Sequence, residues 1–198
     1  MKKVGVLALQ GGFVEHIAAL RRLDAEALPI RLPGELKGIG GLVIPGGEST
    51  TIGKLMAEYE LVVALRRLIA GGLPVLGTCA GMVLLAKKAA GTDRELLGAM
   101  DIEVKRNAFG RQVDSFETAL DVPALGKPLF PAVFIRAPRI ERVGEGVEIL
   151  ASLPDGTPVA AREKNMVATA FHPELTADLR FHDYFLTIVN GKTQAKTA

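Results

Sequence analysis

The chain has 198 residues, 48% of them hydrophobic, enough for one domain whose core needs neither disulfides nor a structural metal. Cys79 is the only cysteine, which excludes an intrachain disulfide framework and a multi-cysteine zinc site. Lys plus Arg number 24 against 22 Asp plus Glu, a net +2, and aromatics are 5%, so neither charge nor stacking surface calls for nucleic acid; the one excess is 22 glycines.

The first apolar run, Val4 to Leu9, comes after Met1-Lys2-Lys3 as a signal peptide would, but Gln10-Gly11-Gly12 ends it too early for an h-region. It reads as a buried strand, succeeded by a helix over Val14 to Leu23 that places His16 at an exposed helical position. A second apolar strand is predicted at Leu42 to Ile44. The phosphate fingerprints fail around it: Val43 replaces the last glycine of a G-x-G-x-x-G, and Gly53-Lys54 lacks the rest of a P-loop. The strand leads instead into Pro45-Gly46-Gly47-Glu48-Ser49-Thr50, where two glycines let backbone approach a ligand and Ser49 is a candidate N-cap; a plain strand-to-helix turn is the alternative.

A helix over Val62 to Ile69 leads into Leu68 to Ala86, a charge-free stretch long enough to span a bilayer by count. Gly71, Gly72, Pro74, Gly77 and Gly81 break it into a helix end, a strand at Pro74 to Thr78 and a new helix just past Cys79. From Leu97 to Val122 shorter alternating stretches flank Gly110, the pattern of an antiparallel hairpin added to the main sheet. Strands are predicted at Ala132 to Ile135, Val147 to Leu150, Pro158 to Ala161 and Met166 to Phe171, and a last helix, with His182 exposed on it, at Asp178 to Val189. Non-alternating strands separated by helices predict an α/β fold, a doubly wound, mostly parallel sheet with flanking helices, forming a single domain over 1–190 with a frayed polar tail over 191–198. A soluble chain of the reducing cytoplasm is expected, with no membrane partner.

Gly77-Thr78-Cys79-Ala80-Gly81 is a G-x-nucleophile-x-G elbow with cysteine as nucleophile, between a predicted strand and a predicted helix. The flanking glycines relieve crowding in a strained turn. The helix N-terminus favours thiolate, and the Ala80 N–H becomes an oxyanion donor. Outside that context a lone cysteine is a small core residue. Of the three histidines, His172 ends an apolar strand and begins His172-Pro173-Glu174. If the segment is extended, side chains two apart point the same way, so Glu174 reaches one ring nitrogen while the other faces sulfur.

With those residues in place, Pro45-Gly46-Gly47, the elbow and His172-Pro173-Glu174 resemble the class I, triad-type glutamine amidotransferases. Within that group, Leu9-Gln10-Gly11 with Glu15-His16, Gly46 to Thr51, Arg106 to Glu117, Phe134 to Pro138 and Phe171 to Thr176 are similar to the family of glutaminase subunits of pyridoxal 5'-phosphate synthase. The resemblance runs from about Val4 to Phe185. It implies a flavodoxin-like amidotransferase fold and hydrolysis of L-glutamine to L-glutamate and ammonia through a thioester. Cys79, His172 and Glu174 would form the triad, with Gly47 and Ala80 N–H groups as oxyanion hole. Gly47, Glu48, Ser49, Arg106, Ile135 and Arg136 would bind glutamine, although either arginine equally suits a solvated position. Gln10 would belong to the region coupling the site to a synthase subunit that assembles pyridoxal 5'-phosphate from ribose 5-phosphate and glyceraldehyde 3-phosphate. No cofactor and no metal are implied, and the glutaminase is expected to idle until its partner docks.

The triad alone equally fits a glutaminase serving the imidazole-forming synthase of histidine biosynthesis; Arg106 to Glu117 argues for the vitamin B6 branch. Hydrolases and stress-response proteins of similar architecture carry histidine directly after the elbow cysteine, where this chain has Ala80. A non-catalytic binding subunit of the same fold is the remaining alternative.

Overall fold

A computed structural model describes residues 3–91, 96–106 and 115–191. In chain order the first half contains β1 (Lys3–Leu7), α1 (Phe13–Arg22), β2 (Ala27–Ile30), β3 (Ile39–Ile44), α2 (Ser49–Glu58), α3 (Leu61–Ala70), β4 (Val75–Thr78) and α4 (Ala80–Leu85). The second half is mostly strand: β5 (Ala86–Ala90), β6 (Met100–Lys105), β7 (Ser115–Leu120), β8 (Phe130–Ile135), β9 (Arg139–Val143), β10 (Glu148–Ser152), β11 (Pro158–Glu163) and β12 (Met166–Thr169), closed by α5 (Arg180–Val189).

The main sheet has seven strands in the order β10-β11-β12-β4-β3-β1-β2. The run from β12 to β2 is parallel, and β10 and β11 extend it antiparallel. Counted within the parallel strands alone, this is the 2-1-3-4-5 order of the flavodoxin-like doubly wound fold, whose ligands bind beyond the carboxyl ends of the strands near the switch point. Val4, Val6, Leu42, Val43, Ile44, Val75, Leu76 and Val167 are fully buried, as strands covered on both faces require. α1 packs against α5, and Gly41 of β3 lies under Phe185 and Val189 of α5, where a β-carbon would strike Val189. α2 packs on α3 and α4, with α4 seated on β3 at Ile44.

Both strands expected between Leu97 and Val122 form, but they do not pair with each other. β6 joins a separate sheet between β5 and β9, and β7 pairs antiparallel with β8. Alternation fixes which face of a strand is buried, not which neighbour completes its hydrogen bonds. Gly110, the expected turn, lies outside the described residues, as do residues 192–198 of the tail. Phe171 packs edge-on against Phe134 and Phe181, with centroids 5.5 and 5.2 Å apart, and the His172 N–H donates to Val133 O at 2.8 Å. These contacts fasten β8 beside the chain leaving β12. No helix among the described residues is long and apolar enough to cross a membrane.

Candidate active site

Cys79 stands between β4 and α4 with φ +48° and ψ −101°, a conformation that L-residues rarely adopt. Packing holds it there. A β-carbon on Gly81 would overlap Ile44 O, and one on Gly77 would come within 2.8 Å of the Gly81 carbonyl. The two glycines therefore bring α4 down onto β3 and β4. The Cys79 N–H donates to Thr169 O at 2.7 Å, tying the elbow to β12, and the residue is 7% exposed. Ala80 is the first residue of α4, and its N–H is one that the helix itself leaves free.

His172 lies across from it, its side chain 12% exposed, and its Nδ1–H donates to Glu174 Oε1 at 2.8 Å. Pro173–Leu175 forms a 3-10 turn rather than the extended segment expected, and the turn brings Glu174 back beneath the imidazole. Gly46 fits between the two halves: a β-carbon there would overlap the His172 ring and press on the Cys79 β-carbon at 3.3 Å. Burial pulls the His172 pKa down, but hydrogen bonds with Cys79 and Glu174 outweigh it and raise the value to about 10. Burial pushes the Glu174 carboxyl up; nearby His16 and the His172 bond outweigh that and hold it below the usual carboxylate range.

A cavity of about 240 Å³ opens over Cys79 and His172. Gln10, Gly47, Glu48, Ser49 and Ala80 line it from the β1, β3 and β4 ends, and Arg106, Ile135 and Arg136 from the other side. Glu174 is the one expected site residue that does not line it, because it sits behind His172. Gln10 Oε1 accepts from the Glu48 N–H at 2.8 Å. Ser49 is not the cap of α2. Glu48 is, its carboxylate accepting from Thr50 N–H at 3.0 Å and Thr51 N–H at 2.6 Å, which leaves Ser49 as the buried first helical residue. The glutamate carboxylate lies two bonds further from its Cα than a serine hydroxyl and, with two oxygens, covers both donors at once. Burial works against the charged form of Glu48, but hydrogen bonds from Thr51 and Thr50 lower its pKa to about 2. Arg106 donates to Glu48 Oε1 and to Gly91 O, both at 3.0 Å, so it is engaged rather than merely solvated. Arg136 is exposed, with φ +43°.

Two residues depart further from expectation. His16 and His182 are both fully buried, not exposed. His16 Nδ1 meets His182 Nε2 at 2.9 Å, and His16 Nε2 lies 3.1 Å from Thr78 Oγ1 and 3.3 Å from Glu174 Oε2. The helical period carried the signal: His16 falls on the face of Ala19 and Leu20, and His182 on that of Phe185, Leu186 and Val189. Thr78, Val83 and Pro138 were also missed. Thr78 Oγ1 accepts from the Gly46 N–H at 3.0 Å, whereas Val83 and Pro138 line the cavity.

Residues 6–190 match the SNO glutamine amidotransferase family. Among curated proteins, the "Pyridoxal 5'-phosphate synthase subunit PdxT" of Moorella thermoacetica is 57% identical over 187 residues, covering 94% of this chain and 99% of that protein. The protein of the same name from Herpetosiphon aurantiacus is 59% identical, covering 92% and 98%. A solved structure described as a glutamine amidotransferase is 50% identical with a TM-score of 0.90, covering 94% of this chain and 98% of that one. PurLQS from Thermotoga maritima, at 15% identity and a TM-score of 0.72, shares the fold.

Proposed function

The chain belongs to the SNO glutamine amidotransferase family, and from that premise we propose that it is the glutaminase subunit of a pyridoxal 5'-phosphate synthase, using Cys79, His172 and Glu174 as its triad. The observation that carries this reading is the pairing of a strained elbow cysteine with an imidazole held by a buried carboxylate, at the mouth of one cavity. The names of the relatives favour the vitamin B6 branch over the imidazole-forming synthase.

The order of steps is set by the proton positions. With a pKa of about 10, His172 is an imidazolium at neutral pH, placed beside the sulfur that attacks in its thiolate form. The thiolate attacks the side-chain amide carbon of glutamine, and the oxyanion settles on the N–H groups of Ala80 and Gly47. His172 gives its Nε2 proton to the departing nitrogen, so ammonia leaves and a thioester remains. The neutral imidazole then takes a proton from water, whose oxygen attacks the thioester. Collapse expels thiolate and releases glutamate, with His172 protonated again. Glu174 keeps the ring in register throughout by accepting from Nδ1–H.

Glu48, Ser49, Arg106, Ile135 and Arg136 hold the amino-acid end of glutamine. Arg106 acts partly through its bond to Glu48, and Arg136 presents an exposed guanidinium suited to a carboxylate. Gln10, bonded to the Glu48 N–H, is positioned to transmit docking of the synthase subunit to the Gly47 loop. Residues 1–190 work as one glutaminase unit, and a reducing cytoplasm keeps its thiolate usable. The test is glutamate release from glutamine with and without the synthase subunit. Strong release that needs the partner and disappears in Cys79→Ala is expected. Activation by an imidazole-forming synthase instead would contradict the assignment.

A further inference from the structure

The triad carboxylate has a second side. Oε1 of Glu174 receives His172, while Oε2 is sealed in the interior without a hydrogen-bond partner among the described residues, and His16 Nε2 stands 3.3 Å from it. Both the His16 and Glu174 side chains are essentially inaccessible. His16 comes from α1 and His182 from α5, so two helices distant in sequence converge on a carboxylate supplied by the chain beyond β12. The same His16 Nε2 lies 3.1 Å from Thr78 Oγ1, which holds the Gly46 N–H.

Two arrangements of protons are compatible with these distances, and they differ in what they leave facing the carboxylate and in which buried ring atom is left over. If His16 carried its proton on Nδ1, its bare Nε2 would face a carboxylate oxygen at 3.3 Å, and His182 would be left with a buried N–H. His182 Nδ1 has no hydrogen-bond partner among the described residues, and a buried orphan donor is the more costly kind. With the proton on His16 Nε2, that N–H is hydrogen-bonded to Thr78 Oγ1 and stands 3.3 Å from Glu174 Oε2, His16 Nδ1 accepts from His182 Nε2–H, and the orphan is a bare ring nitrogen. Resting on the glutaminase reading above, we propose that His16 is a positioning residue of the reaction: its Nε2–H holds the outer oxygen of Glu174, and His182 locks it in that tautomer. The contact stops the carboxylate from rotating away from His172. Through Thr78 it also ties the carboxylate to the Gly46 peptide that precedes the oxyanion loop.

The titratable groups around His16 are Glu174, His172, Glu15 and His182. Burial outweighs the attraction of Glu174 and lowers the His16 pKa, and burial with His16 beside it lowers that of His182 to about 3, so the pair is neutral at working pH.

Two variants separate positioning from packing. His16→Gln retains an amide donor near the Nε2 position, whereas His16→Asn keeps a polar group only near Nδ1. In complex with the synthase subunit, kcat for glutamate release is expected to fall about tenfold in His16→Asn with KM little changed, and to stay within about threefold of wild type in His16→Gln, on the scale that outer hydrogen-bond partners have at metal-bound histidines. Equal losses in both, or none in His16→Asn, would overturn the proposal. Should the variants not fold, nitrogen chemical shifts of the wild-type chain decide the hydrogen-bond half: Nε2–H on His16 and on His182 supports it, and Nδ1–H on His16 refutes it. A wild-type complex that releases no glutamate overturns the glutaminase reading and the catalytic half with it, while the nitrogen shifts still report the tautomer.

Discussion

At the residue scale, the chemistry rests on where one proton sits. His172 is largely shielded from water yet holds its proton to about pH 10, because Cys79 and Glu174 stabilise the imidazolium more than burial destabilises it. Removing the sulfur in Cys79→Ala leaves burial and Glu174 as the opposing influences. An NMR titration of His172 is therefore expected to show a distinctly lower pKa in Cys79→Ala than in wild type, and an unchanged value would mean that sulfur does not hold the proton. Cys79 and His172 were legible because their neighbours are chemically specific: glycines around one, proline and glutamate after the other. His16 and His182 were not, because histidine suits both a solvated helix face and a buried network, and only the apolar period of Ala19, Leu20, Phe185 and Leu186 tells them apart.

At the scale of elements, the elbow works because α4 sits on β3 and β4 at contact distance. Gly81→Ala puts a methyl group into Ile44 O, which is backbone of a central strand and has no room to retreat. A loss of about 1–3 kcal/mol in chemical denaturation is expected, with activity falling as Cys79 shifts. Gly34→Ala, at a site with open space around it, is expected to change stability by no more than about 0.5 kcal/mol. Similar effects from both would show that the elbow is not tightly packed. The buried parallel strands β1, β3, β4 and β12 were readable from unbroken apolar runs. β2 was not: Pro29 interrupts it, and it is tolerated because β2 lies at the sheet edge and pairs with β1 alone. Nor were β5 and β9, whose exposed Lys87, Lys88, Glu141 and Arg142 give no buried stripe to detect. The partners of β6 and β7 were lost for a related reason, since pairing across long connections leaves no local trace.

At the scale of the whole molecule, the buried histidines make stability depend on pH in a specific direction. His16 and His182 have lowered pKa values in the folded chain, so the unfolded chain binds protons first as pH falls through about 6.5. Their contribution is present above that pH and is lost below it, at up to about 1.4 kcal/mol per pH unit for each histidine. His172 has the opposite sign: its raised pKa adds stability below about 6.5 that declines as pH rises toward 10. Glu48 and Glu174, both lowered, add further acid sensitivity only below about 4.5. Urea midpoints are therefore expected to begin falling near pH 6.5, well before the carboxylates titrate; a plateau down to pH 5 would mean that the two histidines are not buried in neutral form. The near-neutral net charge, uninformative alone, is compatible with the zwitterionic substrate proposed above, and Glu48 and Arg136 line the same small cavity. The most direct test of the proposed chemistry is intact-mass analysis of the chain, bound to its synthase subunit, after exposure to a glutamine-mimicking electrophile. One adduct is expected, on Cys79, suppressed by excess glutamine and absent from Cys79→Ala; no adduct, or one that survives the loss of Cys79, would contradict it.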